Sequence, residues 1–183
     1  MSRKNPCGNR LLTLAGVFGR LHLNEFLEGP HKAVMKKGVD YIGVGVGAVI
    51  FNTDGTIFLA KRGKETRNES GKWEFPGGAV EFGEELEQAL CREVREEYGF
   101  EIEVCGLLDV VNHLIPNEKQ HWVSPSFLCK VKSGMPSIRE PHKCDEIGWF
   151  ALDRLPENEL TIASKKSLEN LKNKIRKDQA RTE

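Results

Sequence analysis

The chain has 183 residues, and its 27 Lys and Arg balance its 27 Asp and Glu to give a formal net charge of zero. This length suits one well-cored domain rather than two. Balanced charge does not provide the one-sided basic surface that grips duplex nucleic acid, so we expect no nucleic-acid polymer as a partner.

The five cysteines are odd in number and include no Cys-x-x-Cys pair, which favours free thiols in a reducing compartment. No apolar stretch of the sequence is long enough to cross a bilayer, so we expect no membrane partner and a cytoplasmic location.

The sequence is predicted to divide into a leader (1–37), a folded domain (38–176) and a frayed tail (177–183). The leader contains no acid before Glu25, which leaves organelle targeting open as an alternative location. A second alternative is that translation begins at Met35.

The first part of the domain predicts two strands joined by a hairpin, over residues 41–52 and 56–62, around the turn Thr53-Asp54-Gly55. Glycines alternate with apolar residues in the first strand and leave one of its faces open to close approach. A polar loop over 63–72 and a short strand over 73–75 follow.

The central helix is predicted from about Gly83 to Tyr98 and ends at Gly99, a residue suited to the left-handed position after a helix. Its buried stripe consists of residues four apart: Leu86, Leu90, Val94 and Tyr98.

Further strands are expected at 101–104, 107–113, 122–131 and 147–151, before a second helix over 164–176. Ser164 is the predicted N-cap of that helix. Helices flanking a mixed sheet predict the α/β class, as an α/β/α sandwich.

One face of the central helix is acidic, because Glu93 lies three residues before Glu96 and four before Glu97. Like charges at this spacing cost a helix about 0.2–0.5 kcal/mol per pair, and we expect Arg92 and Arg95 to project to other sides. A hard cation such as Mg²⁺, or Mn²⁺ in its place, would turn the repulsion into attraction.

The string Gly78-x5-Glu84-x7-Arg92-Glu93-Val94-x-Glu96-Glu97-x-Gly99-Phe100 resembles the complete signature box of the Nudix hydrolases. Over about residues 40–171 the chain is similar to the MutT-like branch, which acts on nucleoside triphosphates and includes 8-oxo-dGTP hydrolases. The resemblance implies a Nudix-type α/β/α sandwich with a mixed sheet.

The resemblance also implies roles within the box. Glu93, Glu96 and Glu97 are the expected metal ligands, together with the backbone carbonyl of Gly78. Glu96 or Glu93 is expected to take the proton from the attacking water.

Supporting roles are expected for Glu84 and Gly77, with Glu84 paired to Arg92. Arg92 is placed among the catalytic residues, with a structural role as its alternative. The strand around residues 127–131 offers no acid as a further ligand, so Glu140, Asp145 and Glu146 remain open candidates.

Candidate substrate-binding residues are Phe75, His121 and Trp149, with structural hydrogen bonding as the alternative for His121 and core packing as the alternative for Trp149. His113 lies near the same half of the predicted sheet, where a base could bind.

We therefore predict Mg²⁺-dependent hydrolysis of a nucleoside triphosphate, with an oxidised purine nucleotide as one candidate, to a monophosphate and pyrophosphate. The first alternative is hydrolysis of ADP-ribose, a nucleotide sugar or another nucleoside diphosphate derivative. The second is a nucleotide-sensing module without turnover, against which the retained Glu93, Glu96 and Glu97 argue. The partner is then a small nucleotide, and a homodimer is an expectation from the resemblance.

Overall fold

A computed structural model describes residues 35–66 and 68–181. Most of the predicted leader and the last two residues of the predicted tail therefore lie outside the described residues. The main elements, in chain order, are β1 (Gly43–Phe51), β2 (Ile57–Arg62), β3 (Trp73–Glu74), β4 (Gly77–Ala79), α1 (Leu86–Tyr98), β5 (Glu101–Ile115), β6 (Gln120–Ser133), β7 (Cys144–Phe150) and α2 (Ile162–Gln179).

The strands form one mixed sheet in the order β3-β2-β1-β6-β5, with β4 beside β1 and β7 beside β2. The pairing of β1 with β6 is parallel, and the other strand pairings are antiparallel. This pairing joins strands that are far apart in sequence, and it places the glycine-rich start of β1 between β4 and β6.

Two apolar clusters cover the two faces of the sheet. On one face, α1 contributes Leu90 and Val94 to a cluster around Phe58 and Phe100 of the sheet and its flanks. On the other face, α2 contributes Leu168 and Leu171 to a second cluster. The prediction of an α/β sandwich with a mixed sheet and two helices is confirmed. Within the described residues, no helix is both long and apolar enough to cross a membrane.

The central helix begins at Leu86, so its predicted start at Gly83 is wrong. Gly83 has a φ of 83°, which lies in the left-handed region and cannot continue a right-handed helix. Glu85 is the N-cap instead, and its backbone N–H donates to Gln88 Oε1 at 3.4 Å. Gly99 ends the helix with a φ of 73°, as predicted.

The predicted strands at 101–104 and 107–113 are one continuous strand, β5, which reaches Ile115. Its pairing with β6 shifts register at three places, including one between Val104 and Gly106. Such bulges bend a strand without ending it, which explains why Gly106 does not separate two strands.

The second helix is longer than predicted at both ends. Its N-cap is Thr161, whose hydroxyl accepts from the Ser164 N–H at 3.3 Å. The assignment of Ser164 as the cap is therefore wrong, because Ser164 already lies inside the helix. The C-terminal end reaches Gln179.

Candidate active site

Gly77 and Gly78, which we call the glycine turn, begin β4 before α1 and lie where a side chain would meet neighbouring atoms. Gly77 pairs with Gly47 and Gly78 with Val46 across β4 and β1. A Cβ at Gly77 would collide with the Val46 carbonyl oxygen, and one at Gly78 would overlap the Glu93 carboxylate. The missing side chains thus bring the β4 backbone, β1 and a carboxylate of α1 together at one place.

Arg92 lies among the carboxylates, so the expectation that it projects to another side is wrong. Its Nε and Nη2 donate to Glu84 at 2.8 and 3.0 Å, which is the predicted pair. Its Nη1 donates to Glu93 at 3.0 Å and to Glu96 at 3.2 Å, and its Nη2 also reaches the Ala79 carbonyl. Arg92 therefore holds α1 against β4 and orients three carboxylates, and its hydrogen bonds lower the pKa of Glu84.

Glu97 lies deeper in the site, with a side chain that is only 14% exposed and a Lys143 Nζ at 3.5 Å. Burial raises its pKa to about 7, and the nearby Glu93 charge acts in the same direction while Lys143 opposes it. The protein thus disfavours the ionised form of a carboxylate that faces another carboxylate.

The donor chemistry of this cluster fits a hard divalent cation. Glu84, Glu93, Glu96 and Glu97 share Arg92 and Lys143 as cationic partners, which leaves an excess of carboxylate oxygens. Across residues 35–66 and 68–181, no three His, Cys, Asp or Glu side chains converge as a ligand group. Arg92 draws Glu93 and Glu96 to itself, and Glu96 is 54% exposed.

Of the three acids considered as a further ligand, Glu140 is the one whose described contacts lead to the box. Lys143 Nζ lies 2.7 Å from Glu140 and 3.5 Å from Glu97, so the two carboxylates share one cation. Glu146 instead pairs with Lys61 on β2, and Asp145 is exposed.

A cavity of about 350 Å³ opens beside the glycine turn, a size within the range of small-ligand sites. It lies over the start of β1 and is bounded by β4, the loop before β3, the ends of β5 and β6, and the N-terminus of α2. Its lining includes Gly45, Gly47, Asn68, Glu69, Phe75, Gly77, Gly78, His113, Trp122, Ser126 and Ser167.

Of the predicted substrate-binding residues, only Phe75 lines this cavity. Its backbone N–H donates to the buried Ser164 hydroxyl at 3.0 Å, which ties the cavity wall to α2. His121 lies outside the cavity and its Nε2 bonds Asn112 at 2.6 Å. Trp149 packs against Phe58, with ring centroids 5.1 Å apart.

The cavity also contains polar residues beyond the predicted substrate-binding set of Phe75, His121 and Trp149. Arg62 donates through Nη1 to both carboxylate oxygens of Glu74 at 2.9 and 2.8 Å, and through Nε and Nη2 to Asn68. Burial raises the pKa of Glu74 although Arg62 opposes this. Glu69 and His113 face each other nearby, with Oε2 and Nε2 3.6 Å apart. The charged character of the 63–72 loop was the available signal for Asn68 and Glu69.

The chain is similar in sequence to a known protein family and to named proteins of other organisms. The model of the NUDIX domain matches residues 42–171. The chain is 40% identical over 84 residues to a Proteus vulgaris protein named 8-oxo-dGTP diphosphatase, covering 46% of this chain and 71% of that protein. It is also 29% identical over 159 residues to a Methanocaldococcus jannaschii protein named ADP-ribose pyrophosphatase, covering 86% and 89% of the two chains.

A solved structure also shows the same fold. The crystal structure of a MutT NUDIX hydrolase from Burkholderia pseudomallei superposes with a TM-score of 0.66 at 43% sequence identity. The superposition covers 71% of this chain and 98% of that one.

Proposed function

Because this chain belongs to the NUDIX family of hydrolases, we propose that it hydrolyses a nucleoside triphosphate to the nucleoside monophosphate and pyrophosphate. Within the family, the preference for a triphosphate is supported by the similarity to a protein named 8-oxo-dGTP diphosphatase and to a MutT hydrolase. An oxidised purine nucleotide is therefore the first substrate to examine.

The observation that carries the proposal is the close approach of the Glu93 carboxylate to Gly78, which lines the cavity and leaves no room for a Cβ beside that carboxylate. The cavity can accept a base and sugar, and Gly78 connects its lining to the Glu93 carboxylate on the acidic face of α1, toward which a chain of phosphates would extend. A nucleotide bound in this way brings its phosphoric anhydride to the carboxylates.

Glu93, Glu96 and Glu97 would hold a divalent cation, most simply Mg²⁺ with Mn²⁺ as its substitute, together with the Gly78 carbonyl. When bound, such a cation neutralises phosphate charge and lowers the pKa of water. A bound cation would stabilise the ionised form of Glu97, which burial and the nearby Glu93 charge disfavour and which Lys143 favours only in part.

Glu96 is our candidate for the group that accepts the proton of the attacking water. Its carboxylate is half exposed, and among the described residues its one side-chain hydrogen bond is with Arg92 Nη1, at 3.2 Å, so an oxygen remains available to a water. Arg92 orients Glu96 and Glu93 and is a positioning residue in this scheme. The water oxygen attacks phosphorus, the anhydride oxygen leaves with pyrophosphate, and the proton passes to the carboxylate.

The test is turnover of 8-oxo-dGTP and the four standard deoxynucleoside triphosphates with Mg²⁺, in the wild type and in Glu96→Gln. We expect the substitution to lower kcat by about 100-fold or more, because it removes the base without changing the side-chain volume. Glu87→Gln, an exposed change on the same helix, is the matched control and should leave kcat unchanged. Unchanged turnover in Glu96→Gln would refute the assignment of Glu96.

A second substrate class has its own support, since the relative named ADP-ribose pyrophosphatase aligns with most of this chain. The same carboxylates could serve a diphosphate, because the acidic face contacts phosphates rather than the rest of the ligand. Product analysis separates the two classes. Pyrophosphate and a nucleoside monophosphate indicate a triphosphate, whereas two monophosphates released from ADP-ribose indicate a diphosphate derivative.

A further inference from the structure

A polar pair occupies the cavity wall contributed by β5 and the loop before β3. His113 Nε2 is buried and has no hydrogen-bond partner among the described residues. Glu69 Oε2 lies 3.6 Å from this nitrogen, which is too far for a hydrogen bond. Both side chains are less than one-fifth exposed and both line the cavity. Buried polar atoms without partners are uncommon in native proteins and call for an explanation.

Among the described residues, the Glu69 carboxylate makes its hydrogen bond through one oxygen, which leaves Oε2 for another partner. Its Oε1 accepts from the backbone N–H of Ile162, the first residue of α2, at 2.8 Å. Its backbone has a φ of 47°, a left-handed conformation that is unfavourable for a residue with a side chain. Strain of this kind persists where surrounding contacts over-determine it, and it is enriched at ligand sites.

Arg62, the nearest described guanidinium to the pair in the cavity lining, is already engaged. All its nitrogens donate to Asn68 or Glu74 at 2.7–2.9 Å. Arg62 therefore makes no hydrogen bond to Glu69 Oε2, although both residues line the same cavity. Burial lowers the pKa of His113, so the ring is neutral near pH 7 and can present one N–H.

Strand pairing places this pair away from the carboxylates of α1. His113 pairs with Trp122 on β6, β6 pairs with β1, and β1 pairs with β4, which carries Gly78. Two strands thus separate the pair from the glycine turn. A ligand that reaches both places presents its phosphates at Gly78 and its other end at Glu69 and His113.

We infer that Glu69 and His113 select the base of the bound nucleotide by hydrogen bonding to one of its edges, an inference that rests on the proposed function. Glu69 Oε2 accepts from an N–H of the base, and His113 Nε2 donates to a neighbouring oxygen or nitrogen. Such an edge occurs in guanine as N1–H beside O6. An unsubstituted purine ring has no N–H on its six-membered ring and cannot satisfy Glu69.

The experiment measures kcat and KM of Glu69→Gln, His113→Phe and the wild type on six substrates. These are the four standard deoxynucleoside triphosphates, 8-oxo-dGTP and the deoxynucleoside triphosphate of unsubstituted purine. Glu69→Gln retains an amide oxygen for the Ile162 N–H but replaces the second acceptor by a donor. His113→Phe keeps an aromatic ring at this position but removes the ring nitrogens. It therefore tests the contribution of His113 even if Glu69→Gln is unstable.

For the wild type we expect kcat/KM on the best base to exceed that on unsubstituted purine by about 10- to 100-fold, because a site built for hydrogen bonds rejects a ligand without them. Each variant should lose about tenfold or more on the best base, mainly through KM, and change about twofold or less on unsubstituted purine. Glu65→Gln, an exposed change in the same loop, is the control and should keep the wild-type preference.

Two contrary results are distinguishable. A wild type that releases no pyrophosphate from any of the six substrates would overturn the proposed function and this inference with it. An active wild type whose preference is unchanged in both variants, or whose variants lose the same factor on every base, would overturn the inference alone.

Discussion

At the scale of single residues, the site depends on the absence of side chains as much as on the carboxylates. Gly77 and Gly78 each occupy a place where a Cβ would meet another atom, in one case the Val46 carbonyl oxygen and in the other the Glu93 carboxylate. The close approach of backbone and carboxylate is therefore a property of the glycine turn, and it sets where Glu93 can lie.

This steric requirement predicts the effect of Gly78→Ala. The new methyl group overlaps the Glu93 carboxylate, which must move and lose its position relative to the Gly78 carbonyl. We expect kcat/KM to fall by about 100-fold, the scale of loss that follows from misplacing a catalytic group by about 1 Å. Steady-state kinetics with Mg²⁺ measure it, and thermal unfolding of the same sample separates a local effect from loss of fold. A variant with wild-type kinetics would show that Glu93 does not act from this position.

At the scale of elements, the start of α2 is joined to the cavity wall by a short chain of buried hydrogen bonds. The Thr161 N–H donates to the Trp73 carbonyl at 2.9 Å, and the Thr161 hydroxyl donates to Ser164 Oγ at the same distance. Ser164 Oγ in turn accepts from the Phe75 N–H. The helix thereby positions the segment that leads into the glycine turn, although α2 carries none of the box residues.

We therefore expect Ser164→Ala to affect both stability and substrate binding. It leaves the buried Phe75 N–H without its acceptor, which costs about 1–3 kcal/mol. Phe75 lines the cavity, so KM should rise while kcat changes less. Denaturant unfolding and kinetics measure the two effects, and Ser133→Ala at the exposed end of β6 is the control. Equal stability of the two variants would contradict this account.

The pairing of β5 with β6 explains which of two histidines faces the cavity. Both His113 and His121 were candidates near a base site, and sequence patterns alone do not distinguish them. The register pairs His113 with Trp122 and Leu114 with His121. Because directly paired residues share a face and neighbours alternate, His113 and Trp122 face the cavity, whereas His121 lies with the exposed Leu114. A one-residue change of register would reverse this outcome, so it could not be read from the chain.

At the scale of the whole molecule, the fold class was predictable because its signals are local. The apolar stripe of α1, the glycine turn and the hairpin after β1 each depend on residues close in sequence. The cavity was not predictable, since it combines residues from Gly45 to Ser167 through the parallel pairing of β1 and β6. The pairing of Arg92 with Glu84 was predicted, but its contacts with the Ala79 carbonyl, Glu93 and Glu96 were not.

The raised pKa of Glu97 predicts how the free energy of unfolding of the whole domain depends on pH. The pKa of Glu97 in the folded protein, about 7, lies above its ordinary value, so the stability it contributes is present at low pH. That stability is lost as the pH rises from the ordinary carboxyl value of 4.5 to about 7. With a chelator present, the free energy of unfolding should therefore fall between about pH 5 and about pH 7, and Glu97→Gln should reduce the fall.

Mg²⁺ should restore the free energy of unfolding that is lost at high pH, because it binds the ionised carboxylates of the folded chain and competes with the proton. At a concentration 100 times its Kd it stabilises by about 2.7 kcal/mol, which for a domain of this size raises Tm by about 5–10 °C. Thermal unfolding at pH 8 with Mg²⁺, or with NaCl at equal ionic strength, measures the shift. We expect Glu93→Gln to remove most of it and Glu87→Gln to retain it. A shift of the same size in both variants would show that the cation binds elsewhere and that the carboxylates of α1 do not hold it.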